Sequence, residues 1–436
     1  MAIRVKLQEN ERKKDEVKEM SLMIPMPLDI PNVRVLDVEM KESGDVIVTV
    51  ESTIEGTKCR KCGKEITESR GKDKAIMLRH LPSFGRRAYI RIEPKRYICR
   101  NCSDNPTTTQ KLEWYEARSP NTKAYEDYLL LQIIGSTVQD VSLKEKIGYD
   151  TVEGTIERRI SNEVNWDEYK KIGVLGLDEI AIKKGHRDFV AVITSQQADG
   201  RVKILAILAD RKKETVKEFI KSIPAELKKT IHTVCSDMYE GYINAAKEEL
   251  PDSVIVVDRF HVAKHYRDSA DQLRKEELRR LKKELPKEEY EKLNGAMWAF
   301  RKNRVDLEKD EKPVLRLLFK LSPDLKKAYG FREELTNIFE QKLSKAKATR
   351  KINNWQKRVR ASGLTCFDSF FKTLDNWIDE ITNYFINRYT SGFVEGINNK
   401  IKVIKRRCYG ITNFVHFFQR IFLDIEGYRL FSKSYC

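Results

Sequence analysis

KIGVLGLDEIAIKKGHRDFVAVITSQQADGRVKILAILAD (residues 171–210) and TVCSDMYEGYINAAKEELPDSVIVVDRFH (residues 233–261) form the stretch on which the reading of this chain turns. Short β-branched runs alternate with polar turns at Gly173–Lys183, Arg187–Ser195, Val202–Ala209, Ile231–Cys235 and Val254–Val257. That alternation predicts five strands. Helical spacing at Lys213–Ile223 and Glu240–Leu250 intervenes, so the later strands are expected to run parallel. Two acids stand where strands end, Asp178 in GLDE and Asp237 in CSDMY. A carboxylate at a strand end can point into the crevice beyond the sheet and avoid the cost of unpaired burial.

A third acid lies far downstream. Glu395 belongs to GFVEGINNKIKVIKRRCYG (residues 392–410), a basic segment with helical spacing. Two strand-end aspartates and a helix-borne glutamate suit a pair of hard divalent cations, Mg²⁺ or Mn²⁺, which take oxygen ligands and keep positions open for phosphate and water. GLDE, CSDMYEGY, VVDRFHV and GFVEGINNKIKVIKRRCYG together resemble the core of bacterial insertion-sequence transposases of the DDE, RNase H-like class with an N-terminal zinc ribbon. The resemblance runs from about Cys59 to about Phe422. It implies that Asp178, Asp237 and Glu395 are the catalytic, metal-binding triad; pattern alone would not choose Asp178 over Glu179, or exclude Asp210 or Asp258. In the resembling family the Asp258-Arg259-Phe260-His261 motif sits near the active site. Asp258 is then either a fourth carboxylate or a helix cap, and His261 either touches phosphate, orients a ligand or packs on the helix.

Bulk properties agree with a nucleic-acid partner. The chain has 436 residues, enough for two or three domains, with a net charge of +17 and a pI near 9.3. Such an excess of cations implies a polyanionic partner, nucleic acid before membrane. No apolar run is long enough for a bilayer, and the charged N-terminus lacks the apolar core of a secretion signal. A cytoplasmic, nucleoid-associated protein is the expectation. Of eight cysteines, four form two CxxC pairs, Cys59/Cys62 and Cys99/Cys102. Four thiolates suit a closed, structural, tetrahedral Zn²⁺ site. His80, between the pairs, is expected to pack rather than to replace a ligand.

The expected order is a charged arm (1–32), a zinc-ribbon DNA-binding domain (33–115), a helix-turn-helix (120–165), the first part of an α/β RNase H-like core (171–262), a basic helical insertion (263–386), and the last part of the core with the Glu395 helix (387–436). The core is a mixed sheet with helices on both faces. The helix-turn-helix reading rests on Tyr125–Ile134, Val138–Ile147 and Thr151–Ile160, with Asp150 as an N-cap and with Arg158, Arg159 and Thr155 facing DNA. Any short helical hairpin gives the same pattern; the resemblance decides for it. Residues 264–360 hold 28 Lys+Arg against 16 Asp+Glu, which marks a DNA-gripping surface. Trp298, beside Arg301, Lys302 and Arg304, is either a buried anchor of the insertion, which base rates favour, or a platform for an unpaired base. After Glu395, the residues Asn399, Lys402, Arg406 and Arg407 follow at helical spacing and are expected to contact DNA; Asn398 is expected to bond phosphate or base edges.

The function these features imply is binding of insertion-sequence ends as double-stranded DNA, then metal-dependent strand cleavage and strand transfer into target DNA, by a homodimer or larger assembly and with no membrane. Two alternatives stand beside it: a metal-dependent nuclease or resolvase that does not join, and a non-enzymatic zinc and helix-turn-helix regulator.

Overall fold

The computed structural model describes residues 2–4, 23–25, 28–183, 187–197, 200–409 and 413–432. The chain divides into two compact units, Met1–Ser161 with Arg407–Cys436, and Asn162–Arg406. No helix among the described residues is long and apolar enough to cross a membrane.

The first unit has a short antiparallel pair, Ala2–Arg4 with Met23–Pro25, and then a four-stranded sheet. Its strands are β1 (Val33–Met40), β2 (Val46–Ser52), β3 (Ile76–Ser83) and β4 (Arg86–Ile92), in the order β1-β2-β4-β3. Alternate residues Val48, Val50, Ile90 and Ile92 turn inward onto Leu112 and Trp114, as period-two patterning requires. Short strands Thr57–Lys58, Glu65–Ile66, Ser69–Lys72, Lys95–Ile98 and Thr107–Thr109 carry the cysteine knuckles. Three helices follow, α1 (Lys123–Ile133), α2 (Val138–Glu145) and α3 (Tyr149–Arg159). A reciprocal capping box between Thr137 and Asp140 starts α2, and Lys146 in the left-handed conformation ends it. The N-cap of α3 is Gly148, not Asp150, which lies inside the first turn.

The second unit is built on a five-stranded sheet: β5 (Gly173–Lys183), β6 (Arg187–Gln196), β7 (Val202–Leu208), β8 (Ile231–Ser236) and β9 (Val254–Val257). The order is β7-β6-β5-β8-β9. The first three strands are antiparallel, while β5, β8 and β9 run parallel. The crossovers are α4 (Lys213–Ser222) before β8 and α5 (Glu240–Glu249) before β9. The expected strands and helices are thus present to within a residue or two.

A 26-residue helix, α6 (Arg259–Glu284), leaves the sheet directly after β9. The Asp258 side chain accepts from Phe260 N and so caps it. The inserted helices include α7 (Glu311–Leu321), α8 (Pro323–Glu340), α9 (Lys345–Ala361) and α10 (Asp368–Thr382). One apolar cluster runs without a break from the sheet, through Val234, Tyr242 and Val262, to Leu335, Trp355 and Phe370. The insertion therefore shares the core of the sheet. Helix α11 (Gly392–Arg407) ends this unit.

The closing helix α12 (Phe414–Phe431) belongs to the first unit, where it packs on α1 and α3. It was expected with the sheet. Its Leu423 and Phe431 join the cluster of Tyr125, Leu129 and Val152. The same unit buries an ionic network: Glu126, with no exposed surface, accepts from Arg158 at 2.6 Å, from Arg159 and from Ser119. Removing this buried carboxylate would strip Arg158 of its acidic partner and leave Arg159 with Asp127 alone. Glu126→Ala should therefore destabilise this unit by about 3 kcal/mol in chemical denaturation; a change within error would mean that solvent already neutralises both arginines.

Candidate active site

Strand register sets the site. In the parallel pair β5–β8, Leu177 lies opposite Ser236, and in β8–β9 Ser236 lies opposite Val257. The next residue in each case is an aspartate, so Asp178, in the middle of β5, and Asp237 and Asp258, just past the carboxyl ends of β8 and β9, form one row where the parallel pairing stops. A one-residue slip in either pair would break the row and turn the side chains to the opposite face.

The three have different partners. Asp178 Oδ1 accepts from Glu179 N at 2.7 Å and Oδ2 from Asn398 Nδ2 at 2.7 Å. Asp237 Oδ1 accepts from Tyr239 N at 2.9 Å. Asp258 takes bonds from Phe260 N, Ser391 N and the His261 ring, whose Nδ1 lies 3.0 Å from Oδ2. One ligand atom each from Asp178, Asp237 and His261 falls within 4.8 Å of the others.

Burial pushes the Asp178 carboxyl up to about 6 and raises Asp237 as well. Asp258 goes the other way: burial disfavours its charge, but the bonds from His261, Ser391 and the Phe260 N–H outweigh it. The hydrogen bond to Asp258 in turn holds His261 above the ordinary histidine range. Two carboxylates driven toward protonation, facing one imidazole, form a site short of positive charge. Asn398 Oδ1 is buried beside them without a hydrogen-bond partner. This donor set fits a divalent cation.

Helix α11 is pinned at both ends of its first two turns, by Ser391 N on Asp258 and by Asn398 on Asp178. Ser391, Glu395 and Asn398 stand at positions i, i+4 and i+7, which share one helical face. Glu395 lies on that face, exposed, and is outside the cluster formed by Asp178, Asp237 and His261. Gly176 lets the helix approach: a Cβ there would meet Val394 Cγ2 at 2.6 Å and Phe393 Cε2 at 2.9 Å. The glycine inside a strand was the available signal for that close approach. Asn398 is buried on Asp178, so the expectation that it contacts DNA is corrected.

The other acids of the stretch are engaged elsewhere. Glu179 pairs with Arg211 at 2.7 Å, and Asp210 accepts from Lys212 N. Among the residues expected on DNA, Asn399, Lys402 and Arg406 are exposed on α11. Arg407 is bound to Asp424 at 2.7 Å, and Arg158 and Arg159 are held by Glu126 and Asp127, so these three are structural cations. Thr155 is fully buried and donates to Thr151 O. Trp298 is 60% exposed, which overturns its expected burial; its neighbours Arg301 and Lys302 are paired with Asp271 and with Glu308 and Glu311.

Cys59, Cys62, Cys99 and Cys102 converge. Their sulfurs are 3.7 Å (Cys62–Cys99), 3.8 Å (Cys99–Cys102) and 4.0 Å (Cys59–Cys102) apart. A tetrahedron with metal–sulfur bonds of about 2.3 Å has edges of about 3.8 Å, so the four thiols fit Zn²⁺. The backbone N–H groups of Cys62 and Lys61 hold the Cys59 thiol down, at about 6, toward the thiolate that such an ion needs. His80 is buried, bonded to Thr122 Oγ1 and Leu28 O, and stands apart from these cysteines, as its expected packing role requires.

Comparison with known proteins gives this arrangement its class. A profile for ISL3-type DDE transposases matches residues 175–421, and one described as the zinc-finger of transposase IS204/IS1001/IS1096/IS1165 matches residues 55–102. The first spans more than half of the chain, which therefore belongs to the ISL3 family of DDE transposases. The chain is 28% identical over 396 residues to the transposase for insertion sequence element IS1001 of Bordetella parapertussis, covering 90% of this chain and 92% of that one. It is 24% identical over 351 residues to the transposase for IS1557 of Mycobacterium tuberculosis, covering 76% and 77%. Among solved structures, the Drosophila P element transposase strand transfer complex aligns over 69% of this chain and 91% of that one, at 12% identity and a TM-score of 0.41.

Two outcomes test the site's electrostatics. Asp178 binds its proton more tightly folded, at about 6, than unfolded, at about 3.8. Its ionisation therefore costs stability as pH rises from about 4 to 6, and the full cost stands above that. Without added divalent ions, Asp178→Asn should raise stability at pH 8 by up to about 3 kcal/mol and leave it unchanged at pH 4; equal effects at both pH values would exclude this origin. Cys99→Ser should release the zinc, about one ion per chain by elemental analysis, and loosen the knuckle strands in hydrogen exchange; full zinc retention would remove Cys99 from the ligand set.

Proposed function

We propose that this transposase cuts DNA at the ends of its insertion sequence and joins the released 3′ ends to target DNA, with Asp178, Asp237 and Glu395 as the catalytic metal ligands. The observation that carries the reading is the convergence of Asp178 and Asp237, on neighbouring parallel strands, beside a helix whose pinned face also bears Glu395. The sheet order supports an RNase H-like core: three antiparallel strands, then two parallel ones across the first. The α2–α3 hairpin supports a helix-turn-helix, though without Arg158 and Arg159 as its DNA contacts.

Mg²⁺ or Mn²⁺ bound there would polarise the phosphodiester and stabilise the departing oxygen. The chain's own residues do the rest by position and charge. Asp178 and Asp237 are fixed by backbone N–H groups and by Asn398, which hold a carboxylate oxygen of each within 4.8 Å of the other. On α11, Asn399, Lys402 and Arg406 follow Glu395 as an exposed stripe that matches a run of backbone phosphates. Helix α9 adds a second, smaller cationic face: three of its seven cations, Lys345, Arg358 and Arg360, pair with Asp379, Glu334 and Asp375, while Arg350 and Lys357 lie with Asn353 and Asn354 along one open groove. No serine or tyrosine nucleophile is needed. Joining two ends at once calls for a dimer or larger assembly, and we assign the working assembly to that class.

Labelled end DNA with a target plasmid tests the assignment. Asp178→Asn, Asp237→Asn and Glu395→Gln should each reduce cleavage and joining to background while end binding in gel shift persists. Cleavage by Glu395→Gln at the rate of the unaltered protein would take that residue out of the site, and hydrolysis without joining would make the protein a nuclease.

A further inference from the structure

The third member of the cluster is a histidine, and its setting gives it a definite task. His261 sits in the first turn of α6, three residues after Asp258, which caps that helix. Its Nδ1 is bonded to Asp258 Oδ2 at 3.0 Å, and Asp258 is itself fixed by Phe260 N and by Ser391 N. The ring is therefore held in one orientation by a carboxylate that is almost wholly buried and fully used. Nε2 is left as the remaining donor atom, and a ring nitrogen lies within 4.8 Å of carboxylate oxygens of both Asp178 and Asp237. A histidine with one nitrogen bonded to a carboxylate and with two further carboxylates close to its ring has the surroundings of a metal-ligating imidazole with its orienting partner.

We propose that His261 Nε2 is a nitrogen ligand to the divalent cation shared by Asp178 and Asp237, with Asp258 as the positioning residue that fixes its ring. This rests on the metal reading of the site given above and deepens it. An all-oxygen site suits Mg²⁺, whereas imidazole suits transition ions. One nitrogen donor among carboxylates should therefore tilt the site toward Mn²⁺ over Mg²⁺. A histidine that merely packed on α6 would need neither the Asp258 bond nor the shared crevice. A histidine that only touched substrate phosphate would leave metal affinity unchanged.

The test uses the full chain without DNA and Mn²⁺ alone as the probe. Pulsed electron paramagnetic resonance should show a ¹⁴N coupling on Mn²⁺ that is bound in the unaltered protein and displaced in Asp178→Asn. That coupling should vanish in His261→Ala and in His261→Leu, with folding checked by thermal melting and by retained zinc. Asp258→Asn should keep the coupling but weaken Mn²⁺ affinity by about 10–100-fold, as loss of an orienting partner does. The Mn²⁺ preference over Mg²⁺ should fall in both His261 variants. If Mn²⁺ binds in an Asp178-dependent way with no nitrogen coupling, the inference about His261 is wrong while the proposed function stands. If Mn²⁺ does not bind at all, both fall.

Discussion

The hydrogen-bond register among three parallel strands is the constraint on which the second unit depends. Leu177, Ser236 and Val257 are held side by side by backbone bonds that the buried faces of the sheet enforce. The residue after each one is an aspartate, and the three differ only in what then reaches them. Asp258 meets a helix start and a histidine, and is satisfied. Asp178 and Asp237 receive few donors and are left wanting a cation. A function-bearing electrostatic deficit thus follows from an ordinary sheet, because the carboxyl ends of parallel strands open on a crevice rather than on packed core.

The second constraint is the lie of α11. That helix is tied to the row through Ser391 and Asn398, and it can come so close because Gly176 has no side chain. Its apolar face, Val394, Ile401 and Ile404, is buried, while Asn399, Lys402 and Arg406 remain in solvent. One helix thereby presents both a partner to the aspartates and a cationic stripe. Burying Asn398 against a carboxylate would be costly for a solitary amide; the bond to Asp178 offsets that cost.

Net charge is a weaker guide than its excess suggests. Many of the cations that make this chain basic are occupied internally. Arg274 and Arg301 share Asp271, Arg280 lies between Glu277 and Glu284, and Arg332 is buried against the carbonyls of Phe300 and Lys302. The faces that stay cationic are fewer and more local, around Arg350 and Lys357 of α9 and along Lys402 and Arg406 of α11. Phosphate binding depends on such unneutralised runs and not on composition.

The sequence by itself determined the five strands, the crossovers, the paired CxxC knuckles and the strand-end position of Asp237; Asp178, expected at a strand end, lies in the middle of β5. Each follows from local rules: residue alternation, helical spacing, and metal-ligand spacing within a few residues. Only tertiary structure decided which groups meet. That Asp258 also receives Ser391 N, that Glu179 is taken by Arg211, that Arg158, Arg159 and Arg407 turn inward, and that Trp298 stays exposed all depend on residues distant in the chain. The closing helix joined the first unit for the same reason. Amphipathic periodicity shows that a helix has an apolar face, but the surface that buries it is chosen by shape and by contacts that no local pattern records.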